Sequence, residues 1–217
     1  MPRTIVYLNT IAWEPTWTKF RQRVQNIAKE LAEMGYPGIF VTGSSVSVPI
    51  VERAATRGGR ELADAIRSYI RSALLEPPVL PNLRVISPPE DRENAGIRKV
   101  FLAELLDTLR DHGPVLFYST PFHWVDELDV VPEDVPVIYD CADEHTAFSY
   151  ARSINVADEN RLVARSDLVI CSAARLMVNK SQLNERVYYV PNAVDLKCFG
   201  EGAPPPADIA DLPKPII

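Results

Sequence analysis

The sequence is built around short apolar runs that alternate with helical patterns. Each run is four to six residues long and rich in β-branched and aromatic residues, which predicts strands. Apolar residues fill the runs without alternation, which is typical of parallel sheets buried on both faces. The sequence therefore predicts an α/β fold, a Rossmann-like parallel sheet of about seven strands with helices on both faces. The predicted strands cover residues 4–8, 38–41, 83–87, 115–118, 135–140, 168–171 and 187–190.

Three helical patterns lie between the predicted strands. The clearest begins at Trp17, with Thr16 as the predicted N-cap and Gly35 as the stop. Two more patterns, over residues 62–73 and 97–109, end at proline or glycine breaks.

Composition and charge exclude several classes of protein. Apolar residues make up 47% and charged residues 24%, and no apolar run approaches the roughly 20 residues of a membrane span. With 23 basic against 29 acidic residues, the net charge of -6 opposes binding to a nucleic-acid backbone. The apolar stretch 5–8 is too short for a signal peptide, so a cytoplasmic location is expected.

Known cofactor and metal motifs are missing from the sequence. Residues 9–13, after the first strand, contain no glycine that would let the backbone approach a dinucleotide, and there is no Walker A motif, H-E-x-x-H or G-x-S-x-G. Cys141, Cys171 and Cys198 lack the spacing of a zinc site and are interpreted as reduced thiols. No cofactor and no metal are predicted.

In open parallel sheets, ligands bind at the carboxyl ends of the strands, where the strand order reverses, usually between the first and fourth strands. The residues that follow these two strands include all three tryptophans, whose exposed faces would suit stacking on a sugar ring. Two alternatives stay open: Trp17 also fits the apolar stripe of its helix, and His123 could simply be solvated. The substrate-binding residues predicted here are Asn9, Trp13, Trp17, Thr120, His123 and Trp124.

The densest titratable cluster follows the fifth strand, in residues 139–145. Its carboxylates could bind sugar hydroxyls or act as a general base. Asp140 and Asp143 are the predicted catalytic residues, and Glu144 is a predicted substrate contact. Asp143 could instead cap the next helix, with Glu144 in its first turn. Neither a cap nor a turn explains Asp140, which is expected to contribute little to folding.

Three arginines, Arg60, Arg67 and Arg71, share one helical face and could meet anionic lipid at the inner face of a membrane. Asp64 lies on that face too, which favours a solvated ion-pair network. The tail 200–217 is rich in proline and predicts a linker between domains, so residues 1–199 are predicted to form the domain. The alternative, a tail that folds back on its own domain, stays open.

Three sequence blocks resemble one glycosyltransferase family. Residues 165–172 (RSDLVICS) and 187–195 (VYYVPNAVD) resemble the end of the N-terminal domain of family 4 glycosyltransferases, which have the GT-B fold. Residues 137–144 (VIYDCADE) resemble the teichuronic-acid-type branch of that family. The resemblance extends over nearly the whole chain. It departs from the family at Ala193, where the family has glycine, and in the first loop, which lacks the family's glycine pair.

The resemblance implies the acceptor-binding half of a retaining enzyme in polysaccharide biosynthesis. Such an enzyme transfers a sugar from a nucleotide-sugar donor to a glycan or lipid-linked acceptor, and on this basis Ser172 and Asn192 are also expected to bind substrate. The donor-binding half would lie beyond Ile217, so the chain alone is expected to be inactive. The alternative is a free-standing sugar- or nucleotide-binding module without catalysis, which would use the same edge.

Overall fold

The seven predicted strands are confirmed by the structure, a computed structural model that describes residues 2–9, 22–90, 96–120, 124–148 and 156–194. All strand pairs are parallel, and the order across the sheet is β3-β2-β1-β4-β5-β6-β7. The strands are β1 (Ile5–Leu8), β2 (Gly38–Val41), β3 (Leu83–Ile86), β4 (Val115–Tyr118), β5 (Val137–Cys141), β6 (Leu168–Cys171) and β7 (Val187–Tyr189).

Helices cover both faces of the sheet, but unequally. Five of the described helices pack on one face, where they form the larger hydrophobic cluster with residues such as Leu8, Val41 and Tyr139. Helix α1 packs on the other face against Tyr7 and Phe117. The helices are α1 (Arg23–Glu33), α2 (Pro49–Ala55), α3 (Gly59–Leu75), α4 (Ile97–Thr108), α5 (Val156–Arg165) and α6 (Ala174–Lys180).

The start of α1 differs from the sequence prediction. Gln22 has extended backbone angles and precedes the first helical residue, and its backbone N–H donates to Oε1 of Gln25 at 2.6 Å. The prediction of Thr16 as N-cap is therefore wrong, and Thr16 itself lies outside the described residues. The predicted end is confirmed, because Gly35 has a φ of 91°, a conformation that glycine adopts without strain.

Two other predictions concern an arginine of α3 and two cysteines at the ends of β5 and β6. Arg67 donates from Nε to Glu104 at 2.7 Å and lies 3.3 Å from Asp64, as an ion-pair network requires. Cys141 and Cys171 are buried free thiols that pair in register on β5 and β6. Among the described residues, no helix is long and apolar enough to cross a membrane. No group of His, Cys, Asp or Glu in the same part of the chain could hold a metal ion.

Candidate functional site at the carboxyl edge of the sheet

The strand order reverses between β1 and β4, as the sequence analysis predicts, and Asn9 and Thr120 follow these strands. Asn9 is buried, and its Nδ2 donates to the backbone oxygen of Val41 at 2.8 Å. The amide therefore joins the ends of β1 and β2 at the carboxyl edge of the sheet. Thr120 is half-buried, two residues after the end of β4.

Trp124 does not offer the exposed aromatic face that the sequence predicts. Its side chain is 2% exposed, and its ring lies against the Phe101 ring at a centroid distance of 6.4 Å. The Arg98 guanidinium stacks 4.3 Å from the ring centroid, and the indole N–H donates to the backbone oxygen of Asn9 at 3.3 Å. The prediction of sugar stacking on Trp124 is wrong because core contacts occupy the ring. Trp13, Trp17 and His123 lie outside the described residues.

Asp140 has a structural partner that the sequence analysis missed. Its carboxylate is almost fully buried and accepts hydrogen bonds from Nε of Arg23, at 3.0 Å to Oδ1 and 2.9 Å to Oδ2. The expectation that nothing structural requires Asp140 is therefore wrong. Burial raises the pKa of this carboxyl, and the hydrogen bonds and charge of Arg23 oppose that rise.

The Arg23 guanidinium also binds the segment that follows β7. Nη2 donates to the backbone oxygen of Val190 at 3.1 Å, and Nη1 donates to the backbone oxygen of Pro191 at 3.3 Å and to Oδ1 of Asn192 at 3.1 Å. One side chain at the start of α1 therefore joins the end of β5 to the exit of β7. Asn192, a predicted substrate contact, is exposed at this junction.

Asp143 and Glu144 follow β5 and lie in different environments. Asp143 is exposed, and it does not cap the following 3-10 helix (His145–Ala147), since Glu144 occupies the N-cap position without a side-chain cap bond. Glu144 is half-buried and accepts from Thr146 at 3.0 Å and from Lys180 at 3.4 Å. Burial opposes ionisation of Glu144, but these partners outweigh it and lower its pKa.

Below Glu144 lies a buried polar network between the sheet and α5 and α6. Lys180 Nζ lies 2.9 Å from Oε1 of Glu159, which also accepts from the Tyr139 hydroxyl at 2.9 Å. Burial alone would lower the pKa of Lys180, but the hydrogen bond and the charge of Glu159 outweigh this effect. The pKa of Lys180 is therefore raised, and the ammonium form is favoured. Lys180 thus binds both Glu159 and Glu144, and it connects the buried network to the exposed edge.

Ser172 follows β6, and its hydroxyl donates to the backbone oxygen of Ala142. Its backbone N–H donates to the backbone oxygen of Cys141 at 3.2 Å. Ser172 therefore ties the exit of β6 to the exit of β5. The edge thus brings together Asp140, Asp143, Glu144, Ser172 and Asn192 from three neighbouring strands.

No protein-family model matches this chain, and no curated protein sequence is significantly similar to it.

Arg23 is the main site residue that sequence reasoning missed. A carboxylate at the end of a buried strand needs a cation or several hydrogen-bond donors, because an unpaired buried charge is costly. That rule could have prompted a search for a basic partner of Asp140. The local pattern does not identify the partner, since Arg23 lies 117 positions away in the sequence.

Proposed function

We propose that this domain binds the acceptor sugar of a GT-B glycosyltransferase. One observation carries the proposal. The three sequence blocks that resemble family 4 lie on β5, β6 and β7, and the ends of β5 and β7 meet on the Arg23 guanidinium. Blocks that are distant in the sequence thus form one polar edge, at the end of a parallel sheet where ligands bind.

In the proposed reaction, an acceptor hydroxyl oxygen forms a bond to the anomeric carbon of the donor sugar. The bond from that carbon to the diphosphate oxygen of the nucleotide breaks, with retention of configuration as the resemblance implies. The hydroxyl proton passes to the leaving diphosphate or to a carboxylate at the edge.

The carboxylates of the edge have separate roles in this proposal. Asp143 is exposed, so a ligand can reach it, and it is the candidate to orient the acceptor hydroxyl or to accept its proton. Glu144 has a lowered pKa, so near neutral pH it is a carboxylate that can accept hydrogen bonds from sugar hydroxyls. Asp140 acts as a positioning residue, because both of its oxygens bind Arg23.

The test is a binding study of the 217-residue chain. Uncharged trisaccharides (maltotriose, cellotriose, chitotriose and mannotriose) are titrated by saturation-transfer NMR and calorimetry, and UDP-glucose and GDP-mannose are titrated separately. We expect at least one trisaccharide to bind, and the nucleotide sugars to bind weakly and without turnover. Asp143→Asn should weaken trisaccharide binding about fivefold, because an exposed hydrogen bond contributes about 1 kcal/mol.

The matched control is Asp134→Asn, an exposed carboxylate near the start of β5, at the opposite edge of the sheet. This variant should bind the trisaccharide as the wild type does. If none of the trisaccharides binds, the proposed function is wrong. Tight binding of a nucleotide sugar by this chain would instead support the free-standing module and would also contradict the proposal.

A further inference from the structure

We propose that Tyr188 and Asn192 form a carbohydrate subsite on the face of the sheet that carries α1, with the tyrosine ring as the stacking surface. The subsite rests on the proposed function, since it specifies where the acceptor sugar lies. Both side chains are exposed to solvent, whereas Trp124 is buried in the core.

Strand register places Tyr188 on the same face as Asp140. Asp140 pairs with Ile170, and Ile170 pairs with Tyr188, so the three residues form one row across β5, β6 and β7. Asp140 reaches Arg23 of α1, which identifies the face. With strands about 4.8 Å apart, the backbone of Tyr188 lies about 10 Å from that of Asp140.

This part of the face is open compared with the rest of the sheet. The fully buried residues packed with α1 come from the described parts of β1 to β4 and from α1 itself, including Tyr7, Phe40 and Phe117. Ile170 is only half-buried, and Tyr188 is 56% exposed at the edge of the sheet. An aromatic ring beside a half-buried apolar side chain offers an accessible apolar surface at the rim of the candidate site.

Asn192 supplies a polar group of fixed orientation. Arg23 Nη1 donates to Oδ1 of Asn192, which identifies that atom as the acceptor side of the amide and turns the Nδ2 group away from the guanidinium. Asn192 is exposed, and within the described part of the chain its Nδ2 has no hydrogen-bond partner. Two N–H donors are therefore available to a ligand at the carboxyl edge, four residues along the chain from Tyr188.

These groups fit a neutral sugar better than a phosphate. A pyranose ring presents an apolar face that packs on an aromatic ring, and its hydroxyl oxygens accept hydrogen bonds from an amide. The nearby Arg23 is not available for a phosphate, because four of its five N–H groups already donate to Asp140, Val190, Pro191 and Asn192. The subsite is therefore assigned to an uncharged carbohydrate and not to the diphosphate of the donor.

The experiment uses the same four trisaccharides and a matched pair of tyrosine variants. Tyr189 is 50% exposed on the same strand, but its register partner is Cys171, so its side chain lies on the opposite face. Tyr188→Ala should weaken trisaccharide binding about three- to tenfold, whereas Tyr189→Ala should bind as the wild type does. Tyr188→Phe should retain binding, since the ring is kept.

A second variant tests the amide separately. Asn192→Ala removes both Nδ2 donors, so it should weaken trisaccharide binding, whereas a folded variant that binds as the wild type does would remove the amide from the subsite. Arg23 keeps its hydrogen bonds to Asp140, Val190 and Pro191 in this variant. Thermal unfolding of each variant identifies any that fail to fold, and for Tyr188 the Leu variant then replaces Ala, because it keeps an apolar side chain without the ring.

The outcomes separate the subsite from the proposed function. If the wild type binds a trisaccharide and a folded Tyr188 variant without the ring binds equally well, the subsite is wrong and the proposed function stands. Equal losses in the Tyr188→Ala and Tyr189→Ala variants would also overturn the subsite, because a stacking role is confined to one face. If the wild type binds none of the trisaccharides, both proposals are wrong.

Discussion

The ammonium nitrogen of Lys180 lies 2.9 Å from Oε1 of Glu159, with both side chains less than a tenth exposed. Lys180→Met should lower the free energy of unfolding by about 3 kcal/mol, because it leaves the Glu159 carboxylate buried without its cation. Urea denaturation followed by circular dichroism measures the change.

The control for this prediction is an exposed pair with similar geometry. Arg57 lies 2.9 Å from Glu61 on the surface, where solvent weakens the interaction, so Arg57→Met should scarcely change stability. Adding Glu159→Gln to Lys180→Met should recover part of the loss, because the amide carries no charge. A double variant that is less stable than Lys180→Met would contradict the ion-pair explanation.

The pH dependence of stability should contain a contribution from His145. Burial lowers the pKa of its imidazole, although Asp143 and Glu159 oppose the change. The native state therefore binds the proton less readily than the unfolded chain, whose histidine titrates near pH 6.5. This contribution to stability is fully present above pH 6.5 and is lost as the pH falls through that value towards the lower native pKa.

Denaturation at pH 7.5 and 5.5 tests the His145 prediction. His145→Gln should lose less stability between these values than the wild type does, because glutamine does not titrate. His112→Gln, at an exposed site near the opposite edge of the sheet, is the control and should keep the wild-type difference. A His145→Gln variant with the full wild-type difference would show that other groups cause the pH dependence.

Asp140→Asn should destabilise the chain by about 1.5 to 3 kcal/mol, which reverses the expectation from the sequence. The variant replaces one of the two oxygens that accept from Arg23 Nε with an NH2 group, so a buried donor faces a donor, and hydrogen bonds to charged groups are worth about that much. Asp134→Asn is again the control. Unchanged stability of Asp140→Asn would mean that the ion pair only offsets the desolvation of its own charges.

The sheet could be predicted from the sequence because a buried parallel strand has a local signature, a continuous apolar run between breaks. Even so, β5 begins at Val137 and not at residue 135. Pro136 precedes the strand and contributes only its backbone oxygen, which accepts from Leu116 at 2.9 Å. The first and last residues of a strand depend on hydrogen bonds to the neighbouring strand, and these cannot be identified from the apolar run alone.

The site was less predictable because its groups depend on distant partners. The sequence correctly placed the polar cluster of residues 139–145 at the carboxyl end of β5, since this follows from strand direction alone. It did not reveal that Arg98 and Phe101 enclose Trp124, or that Arg23 binds Asp140. A tryptophan in a loop has the same local pattern whether it is exposed or buried, and only the packing of α4 decides between them.

Gly38 offers a last test, of how tightly β2 packs. A Cβ at this position would lie 2.8 Å from Cδ1 of Leu83 and 3.1 Å from Cε2 of Tyr7, closer than the ordinary contact distance. Gly38→Ala should therefore destabilise the chain by about 1 to 3 kcal/mol, as overpacking does in other cores. Urea denaturation gives the free energy of unfolding.

The origin of the Gly38→Ala cost can be tested with a second substitution at its close neighbour. Leu83→Val alone removes a buried methylene and should cost about 1 kcal/mol. In the double variant, the shorter side chain leaves room for the new Cβ, so the combined loss should be smaller than the sum of the two single losses. Strict additivity would locate the cost of Gly38→Ala in the backbone or at the Tyr7 ring and not at the contact with Leu83.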